Sequence, residues 1–456
     1  MGIDLPSGAG TALAPDADRV RGERARRASI LGVIYQGVFA VVQLISLAVL
    51  ARHTTREVFG LWMTVMALAS WAPMAYFGQP AALLTRLGAV AQADRIAGGR
   101  LLLAGSVITL AVTALSLVIL LCASPWLSWP TILNANTPGT AIHAQATAVI
   151  AIGVALLANP ATISNFALMA HQRGDVANAG MIAACLVGLL LFAAGVWSGQ
   201  SLPIVGALML CGPLLGGLAL WLVVASRQLV PLPSWRDLDR GSLKTMALTG
   251  LHFVAIDVGV LAIVRTPDVI VAQLHGPEAV AIFSAVGRMP MLMLAVFQAV
   301  LLPYWPILAE ALHTGDTARL RRTAIRSLWL MLAIGAASVV VLAAMGAPFV
   351  RAWLAIDDPA IVSLVRAACL QSLGMGVLAW FGVLFGALSM PRHQLVLLSA
   401  TAMLFLPLAL RMGDAFGPLG VAFAQAASLL VFTSFMGAWL LRYKTGMTRR
   451  NSLCKP

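Results

Sequence analysis

The chain has 456 residues, of which 60% are hydrophobic and only 10% charged. Soluble globular domains carry roughly a quarter of their residues as charges, so this composition, with a mean hydropathy of +0.91, excludes one and predicts an integral membrane protein. The net charge of +13 raises nucleic acid as a partner, but the charges follow the loops rather than one face, and nucleic-acid binding is not expected.

With apolar runs of about 20 residues as the unit, twelve spans are predicted: 28–51, 58–84, 101–123, 142–170, 176–198, 202–226, 246–273, 279–302, 326–347, 361–388, 394–411 and 417–441. The expected fold class is an all-α polytopic membrane protein of about 12 transmembrane helices. Residues 1–27 form a polar tail with Arg19, Arg21, Arg24, Arg26 and Arg27. The apolar run that follows is too long for a removable signal peptide and lacks a small-residue cleavage site, so it is read as the first span. Tyr35, Gln36, Gln43 and Ser46 give that span a polar face that meets protein or water.

The second span contains Pro73 and Pro80, which predict kinks or breaks there. Trp126 and Trp129 lie in an uncharged loop, as expected of interfacial anchors. The stretch 227–245 is the longest central connection, and it divides the chain into two six-helix halves, 28–226 and 246–441, followed by a tail at 442–456. A shift of 221 residues supports the division: "VLARHTTREVFGLW" from Val49 overlays "IVAQLHGPEAVAIF" from Ile270, pairing Ala51 with Ala272 and Glu57 with Glu278. Six spans per half make the repeats parallel, an arrangement that recurs in secondary transporters.

With the N-terminus taken as cytoplasmic, 23 Lys and Arg fall on that side, in 1–27, 86–100, 173, 227–244, 319–326, 392 and 442–455. The other side has five: Arg52, Arg56, Arg351, Arg366 and Arg411. Such a bias predicts an inner-membrane protein with both termini cytoplasmic. The basic excess then serves orientation and contact with anionic membrane lipids.

Charge within the apolar runs is concentrated in one hairpin, Leu243 to Pro303, which holds Asp257, Arg265, Asp268 and Arg288. Intramembrane charge is costly and marks a working site or a structural pairing. Arg265 lies 11 residues before Gly276 and Arg288 lies 12 after it, which places both about 16–18 Å from the turn on straight helices. Two arginines at one depth suit an anionic group such as a phosphate, through charge-assisted and bidentate hydrogen bonds. On a straight helix Asp257 and Asp268 differ by about 20° in azimuth and share a face with Arg265. Asp257 has no basic neighbour within four residues, which makes it the preferred proton-coupling candidate, with Asp268 the second. The alternative reading pairs the two aspartates with the two arginines as structural ion pairs. Gln36 and Gln298 are candidates for hydrogen bonds to a substrate's hydroxyls, with interhelical packing as the competing role.

The five cysteines, Cys122, Cys185, Cys211, Cys369 and Cys454, form no CxxC pair, and neither a metal site nor a cofactor is expected. No GxxxxGK[ST] loop, HExxH pair or nucleophile elbow occurs, so no direct ATP hydrolysis is expected. A membrane polymerase or ligase would need an extended outer loop, and the predicted outer loops are short.

The segment "RTPDVIVAQLHGPEAVAIFSAVGRMPMLML", continuing to "PYWPILAEALHTGDTARLRR", resembles the middle of Wzx-type polysaccharide flippases of the multidrug, oligosaccharidyl-lipid and polysaccharide exporter superfamily. The matching positions are Asp268, Gly276, Arg288 and the run Pro303 to Ala311, and "LARHTTREVFGLW" is similar to the family's first outer turn. The resemblance implies a V-shaped bundle that flips an undecaprenyl-diphosphate-linked oligosaccharide to the outer leaflet, with a polysaccharide polymerase and a chain-length regulator as partners. Where relatives often carry acidic or additional basic residues, the first span here has Gln36 and Gln43. An ion-coupled multidrug or small-solute antiporter of the same superfamily is the alternative.

Overall fold

The computed structural model describes residues 15–87, 94–135, 137–228, 235–301, 303–314, 316–388 and 390–440. The expected tail at 442–456 and residues 229–234 of the expected linker lie outside the described residues. Eleven helical segments are long and apolar enough to cross a membrane. The last, Arg392–Leu440, has 49 residues, or about 74 Å of continuous helix against a hydrocarbon core of about 30 Å. It is two crossings. Gly417 breaks it at φ 67° and ψ −157°, and a Cβ on Gly420 would lie 1.9 Å from the Met412 carbonyl oxygen, so the chain doubles back. The loop expected between the last two spans is thus reduced to a glycine reversal.

The first half comprises α1 (Pro15–His53), α2 (Arg56–Ala69), α3 (Arg95–Ala123), α4 (Pro138–Ala170), α5 (Gly174–Trp197) and α6 (Leu202–Ser226). The expected tail at 1–27 is therefore helical from Pro15 onward. The second half comprises α7 (Arg240–Val264), α8 (Thr266–His275), α9 (Pro277–Leu301), α10 (Tyr304–His313), α11 (Thr317–Leu354), α12 (Ala360–Ala387) and α13 (Pro391–Ala427), whose direction reverses at Gly417. The halves repeat one another in packing: α2 lies on α4 and α1 on α5 in the first, and α9 lies on α12 and α7 on α13 in the second.

Local chemistry sets the breaks. Thr55 caps α2 by accepting from the Val58 amide. After Ala69 the second span leaves the α-helix for a 3₁₀ turn at Ala72–Tyr76, then Phe77 and Gly78 adopt φ of 53° and 64°. Pro73 and Pro80 cannot donate to the Ala69 and Tyr76 carbonyls one turn earlier; Thr109 donates to the Tyr76 carbonyl at 3.4 Å, and side chains satisfy other groups of the broken stretch. Asn159 donates to the Ala72 carbonyl at 2.8 Å, Gln79 to that of Phe77 at 3.0 Å, and Tyr76 bonds Thr162. Broken backbone at membrane depth persists where neighbours satisfy it in this way.

We call the end of the bundle where α1 begins the near end, and the end holding 53–56, 275–277 and 354–360 the far end. At the far end one apolar core draws on both halves, with Leu50, Phe59 and Trp62 from the first and Ile270, Val280, Phe283 and Leu354 from the second. A close crossing is α2 on α9, where a Cβ on Gly60 would lie 1.7 Å from the Pro277 carbonyl oxygen. Polar bonds cross at the same end: Arg56 pairs with Asp358 at 3.1 Å, Trp353 donates to the Leu44 carbonyl at 2.8 Å, Asn134 to that of Ala272 at 3.0 Å and Gln273 to that of Ile132.

Toward the near end the apolar clusters separate. One contains first-half residues such as Leu83, Leu102 and Leu168 with Met246 of α7, and another contains Phe297, Leu301, Leu308 and Met331 of the second half. α7 bridges here. Gln79 donates to the Met246 carbonyl at 3.4 Å, Arg86 to the Thr249 hydroxyl at 3.2 Å, and Gly78 meets Gly250 backbone to backbone. Among the described residues the halves share one apolar core at the far end, whereas toward the near end the apolar clusters are separate and the contacts between halves named above run through α7.

Candidate functional site

The charged hairpin is built around a proline. Pro267 has no amide hydrogen to give the carbonyl of Ile263, one turn earlier, and α7 stops at Val264. Arg265 sits at the break with φ −112° and ψ −27°. Gln425, from the last crossing, donates to the stranded Ile263 carbonyl at 2.8 Å. Its own amide oxygen accepts from Gln371 of α12 at 2.8 Å, and Gln371 also donates to the Ala422 carbonyl at 3.2 Å. Both glutamines are 5% exposed, and the chain of three bonds leaves the freed carbonyl satisfied at depth.

Beyond the break α8 starts afresh, with Asp268 in its first turn, where the helix dipole favours an anion. Asp268 also accepts from the Ser284 hydroxyl of α9 at 2.5 Å. Arg265, Asp268, Ser284, Arg288, Gln371 and Gln425 line one cavity of about 30 Å³ between α7, α8, α9 and α12, room for one or two water molecules. Among the described residues neither arginine has an ion-pair partner within 4 Å, although both act electrostatically on Asp268. The cavity therefore holds two cations and one acid in a medium where charges are felt strongly.

The structure thus brings together Arg265, Asp268 and Arg288, as the helix spacing predicts. It does not add Asp257, which is exposed on α7 and does not line this cavity. Asp257 lies 11 residues before Asp268, on the α7 side of the break between Val264 and Thr266. Gln36 on α1 and Gln298 on α9 are also exposed and absent from the cavity lining. Ser284, Gln371 and Gln425 were not singled out from the sequence. For Gln371 and Gln425 the signal is an amide side chain in an otherwise apolar span, the kind of side chain that marked Gln36.

A second cavity, of about 450 Å³, opens at the far end between the halves. Arg56 enters it from the first half, and His275, Glu278, Asp358, Phe416 and Leu419 from the second.

Among the described residues no group of three or more His, Cys, Asp or Glu is placed to hold a metal. No family model matches the sequence, and no curated protein matches it. Solved structures do match in fold. The inward-facing conformation of a multidrug resistance MATE family transporter of the MOP superfamily is 15% identical, covers 92% of this chain and 96% of its own, and superposes with a TM-score of 0.70. A MOP superfamily transporter from Pyrococcus furiosus, described by the reverse polarity of its binding pocket, is 16% identical, with coverages of 96% and 97% and a TM-score of 0.67. The outward-facing conformation of a multidrug resistance MATE family transporter reaches 0.65 at 16% identity, with coverages of 94% and 97%. At this level of identity the likeness is one of fold, and the fold of this chain is the two-repeat helical bundle of MOP superfamily transporters.

Proposed function

We propose that this chain is a secondary transporter that moves an anionic amphiphile across the inner membrane by alternating access. The observation that carries the reading is the shared cavity of Arg265 and Arg288 with a single acid, Asp268. In lipid surroundings an excess cation of this kind calls for an anionic partner. A lipid-linked oligosaccharide, which must hand its diphosphate from water to protein before crossing, meets that description, and the sequence resemblance to Wzx-type flippases points to the same cargo. At about 30 Å³ the cavity admits water but no diphosphate, so engagement requires α9 or α12 to draw back from α8. Asp257, exposed on α7, serves as the ion-coupling carboxylate, with Gln36 and Gln298 offered to the sugars.

The near end is taken as cytoplasmic because 23 of the flanking Lys and Arg lie there against five at the far end. The closed far end then corresponds to an inward-facing state, in keeping with the higher TM-score to the inward-facing relative. The domain division, 28–226 and 246–441 about the 227–245 linker, follows the same topology. A polysaccharide polymerase and a chain-length regulator are the partners such a flippase would serve, and anionic lipids would meet the near-end arginines.

An ion-coupled multidrug or small-solute antiporter is the second reading, and the MATE family transporters among the solved relatives support it more closely than they support flipping. The two are separated in a deletion strain by measuring inner-leaflet lipid-linked repeat units and drug sensitivity together. Accumulated repeat units with unchanged drug sensitivity establish flipping. Normal surface polysaccharide with heightened drug sensitivity establishes antiport.

A further inference from the structure

We infer that Gly287 of α9 is the opening of the arginine cavity: its missing side chain leaves the passage by which a phosphate-bearing headgroup reaches Arg265 and Arg288 from the near end. This rests on the anionic cargo proposed above and deepens it, by naming the residue that decides what enters. Gly287 lines the cavity together with Arg288 and with Val264 and Arg265 of the α7 break. A glycine inside a helix is destabilising relative to alanine, so its presence there needs a local reason. For Gly335, Gly346, Gly374 and Gly376 the reason is packing, since a Cβ on each would lie 2.5 to 2.8 Å from a side chain of another span. Packing does not account for Gly287. Among the described residues a Cβ added to it meets nothing within 4 Å.

The face of α9 gives the opening its direction. Residues 287, 291, 294 and 298 recur at helical spacing and share one side of the helix. Toward the far end, Phe283 and Ser284 are buried and close the cavity. Toward the near end, Met291 and Leu294 are partly buried and Gln298 is exposed. Exposure thus rises along this face from the cavity to the near end, and at Gly287 the wall is bare backbone. An anionic group moving along this face meets no side chain at Gly287, and beyond it lie two arginines that, among the described residues, have no ion-pair partner within 4 Å. A bulky side chain at 287 would fill that passage. The competing role is a hinge, because Pro290 withholds a hydrogen from the Val286 carbonyl one turn earlier. A hinge is lost to any side chain, whereas an opening closes in proportion to size.

Two readouts on the full-length protein in nanodiscs keep the opening and the cargo apart. The first is modification of Ser284→Cys, inside the cavity, by the anionic thiol reagent sulfonatoethyl methanethiosulfonate, followed at that peptide by mass spectrometry. Adding Gly287→Leu should slow it at least tenfold and Gly287→Ala about two- to fivefold. Gly153→Leu on α4, where an added Cβ also meets nothing within 4 Å, should match the parent within twofold. The second readout is calorimetric titration with geranyl diphosphate, with geraniol as the uncharged control. Wild type should bind the diphosphate saturably and geraniol not, with at least a tenfold loss of affinity in both Gly287→Leu and Arg288→Ala. Unfolding midpoints of the Gly287 variants at or above wild type show that the helix is intact. Unchanged labelling in Gly287→Leu, or equal slowing by alanine and leucine, would overturn the opening alone and leave the cargo reading standing wherever the diphosphate still binds. Slowed labelling without saturable diphosphate binding to wild type would overturn the anionic cargo and with it the use assigned to the opening.

Discussion

The side-chain amide of Gln425 donates to the main-chain carbonyl of Ile263 across 2.8 Å, supplying the hydrogen that Pro267 cannot. A residue near the C-terminal end of the bundle thereby stabilises a break in the seventh span, 162 positions earlier. Gln425→Leu should leave that carbonyl unsatisfied at depth and cost about 1–3 kcal/mol, seen as a lower thermal unfolding midpoint in detergent. Adding Pro267→Ala restores an amide donor to the same carbonyl and should recover a large part of the loss. Strict additivity of the two substitutions would show that the contact is not the cause.

Arg56 and Asp358 form an ion pair across the halves, with side chains 37% and 21% exposed. Exposed pairs contribute about 0.2–1 kcal/mol, so Asp358→Asn should scarcely change global stability. It should instead shift the balance between closed and open far ends, raising thiol-probe labelling of an Ile282→Cys reporter from the far side about two- to fivefold. Equal labelling with and without the pair would exclude it as a latch.

Gly60 and Pro277 mark a close approach of the halves, since a Cβ on Gly60 would fall 1.7 Å from the Pro277 carbonyl oxygen. Gly60→Ala forces α2 and α9 apart and should cost about 1–3 kcal/mol through overpacking. Gly37→Ala, where nothing lies within 4 Å of an added Cβ, serves as the control, and its midpoint should stay at or slightly above wild type.

Asp239 caps the start of α7, accepting from the Ser242 hydroxyl at 2.7 Å and the Ser242 amide at 2.8 Å. These bonds, the hydroxyl first, hold its carboxyl below the ordinary value of 3.8. A depressed folded-state value means that the cap contributes stability above pH 3.8 and loses it as pH falls through the lower folded value. Amide exchange at Ser242 and Leu243, compared between wild type and Asp239→Ala, should differ at neutral pH and converge in acid. A difference that persists unchanged in acid would assign the protection to something other than the carboxylate.

The expected spans, the break near Pro73 and Pro80 and the turn at Gly276 were legible because hydropathy runs, prolines and glycines act locally. The co-location of Arg265 with Arg288 was legible for the same reason, from equal spacing about one turn. Asp257 stands on the other side of the break at Arg265 and does not line that cavity. The roles of Gln371 and Gln425 were hidden for a different reason. They answer a defect made by a proline in another span, and their meaning appears only when the crossings are assembled. The loss of a loop at Gly417 was equally invisible, since one glycine among 40 carries no mark of the reversal it makes.

The interior charges of the hairpin, Asp257, Arg265, Asp268 and Arg288, sum to zero with the acids ionised, and the spans of the first half contain no Asp, Glu, Lys or Arg within their predicted cores. Moving one net charge through a membrane potential is worth about 2.3 kcal/mol per 100 mV. A rocking motion therefore carries no net charge of the hairpin through that field, and any voltage dependence of the empty protein's reorientation should come from charges nearer the span ends, such as Arg366 in α12.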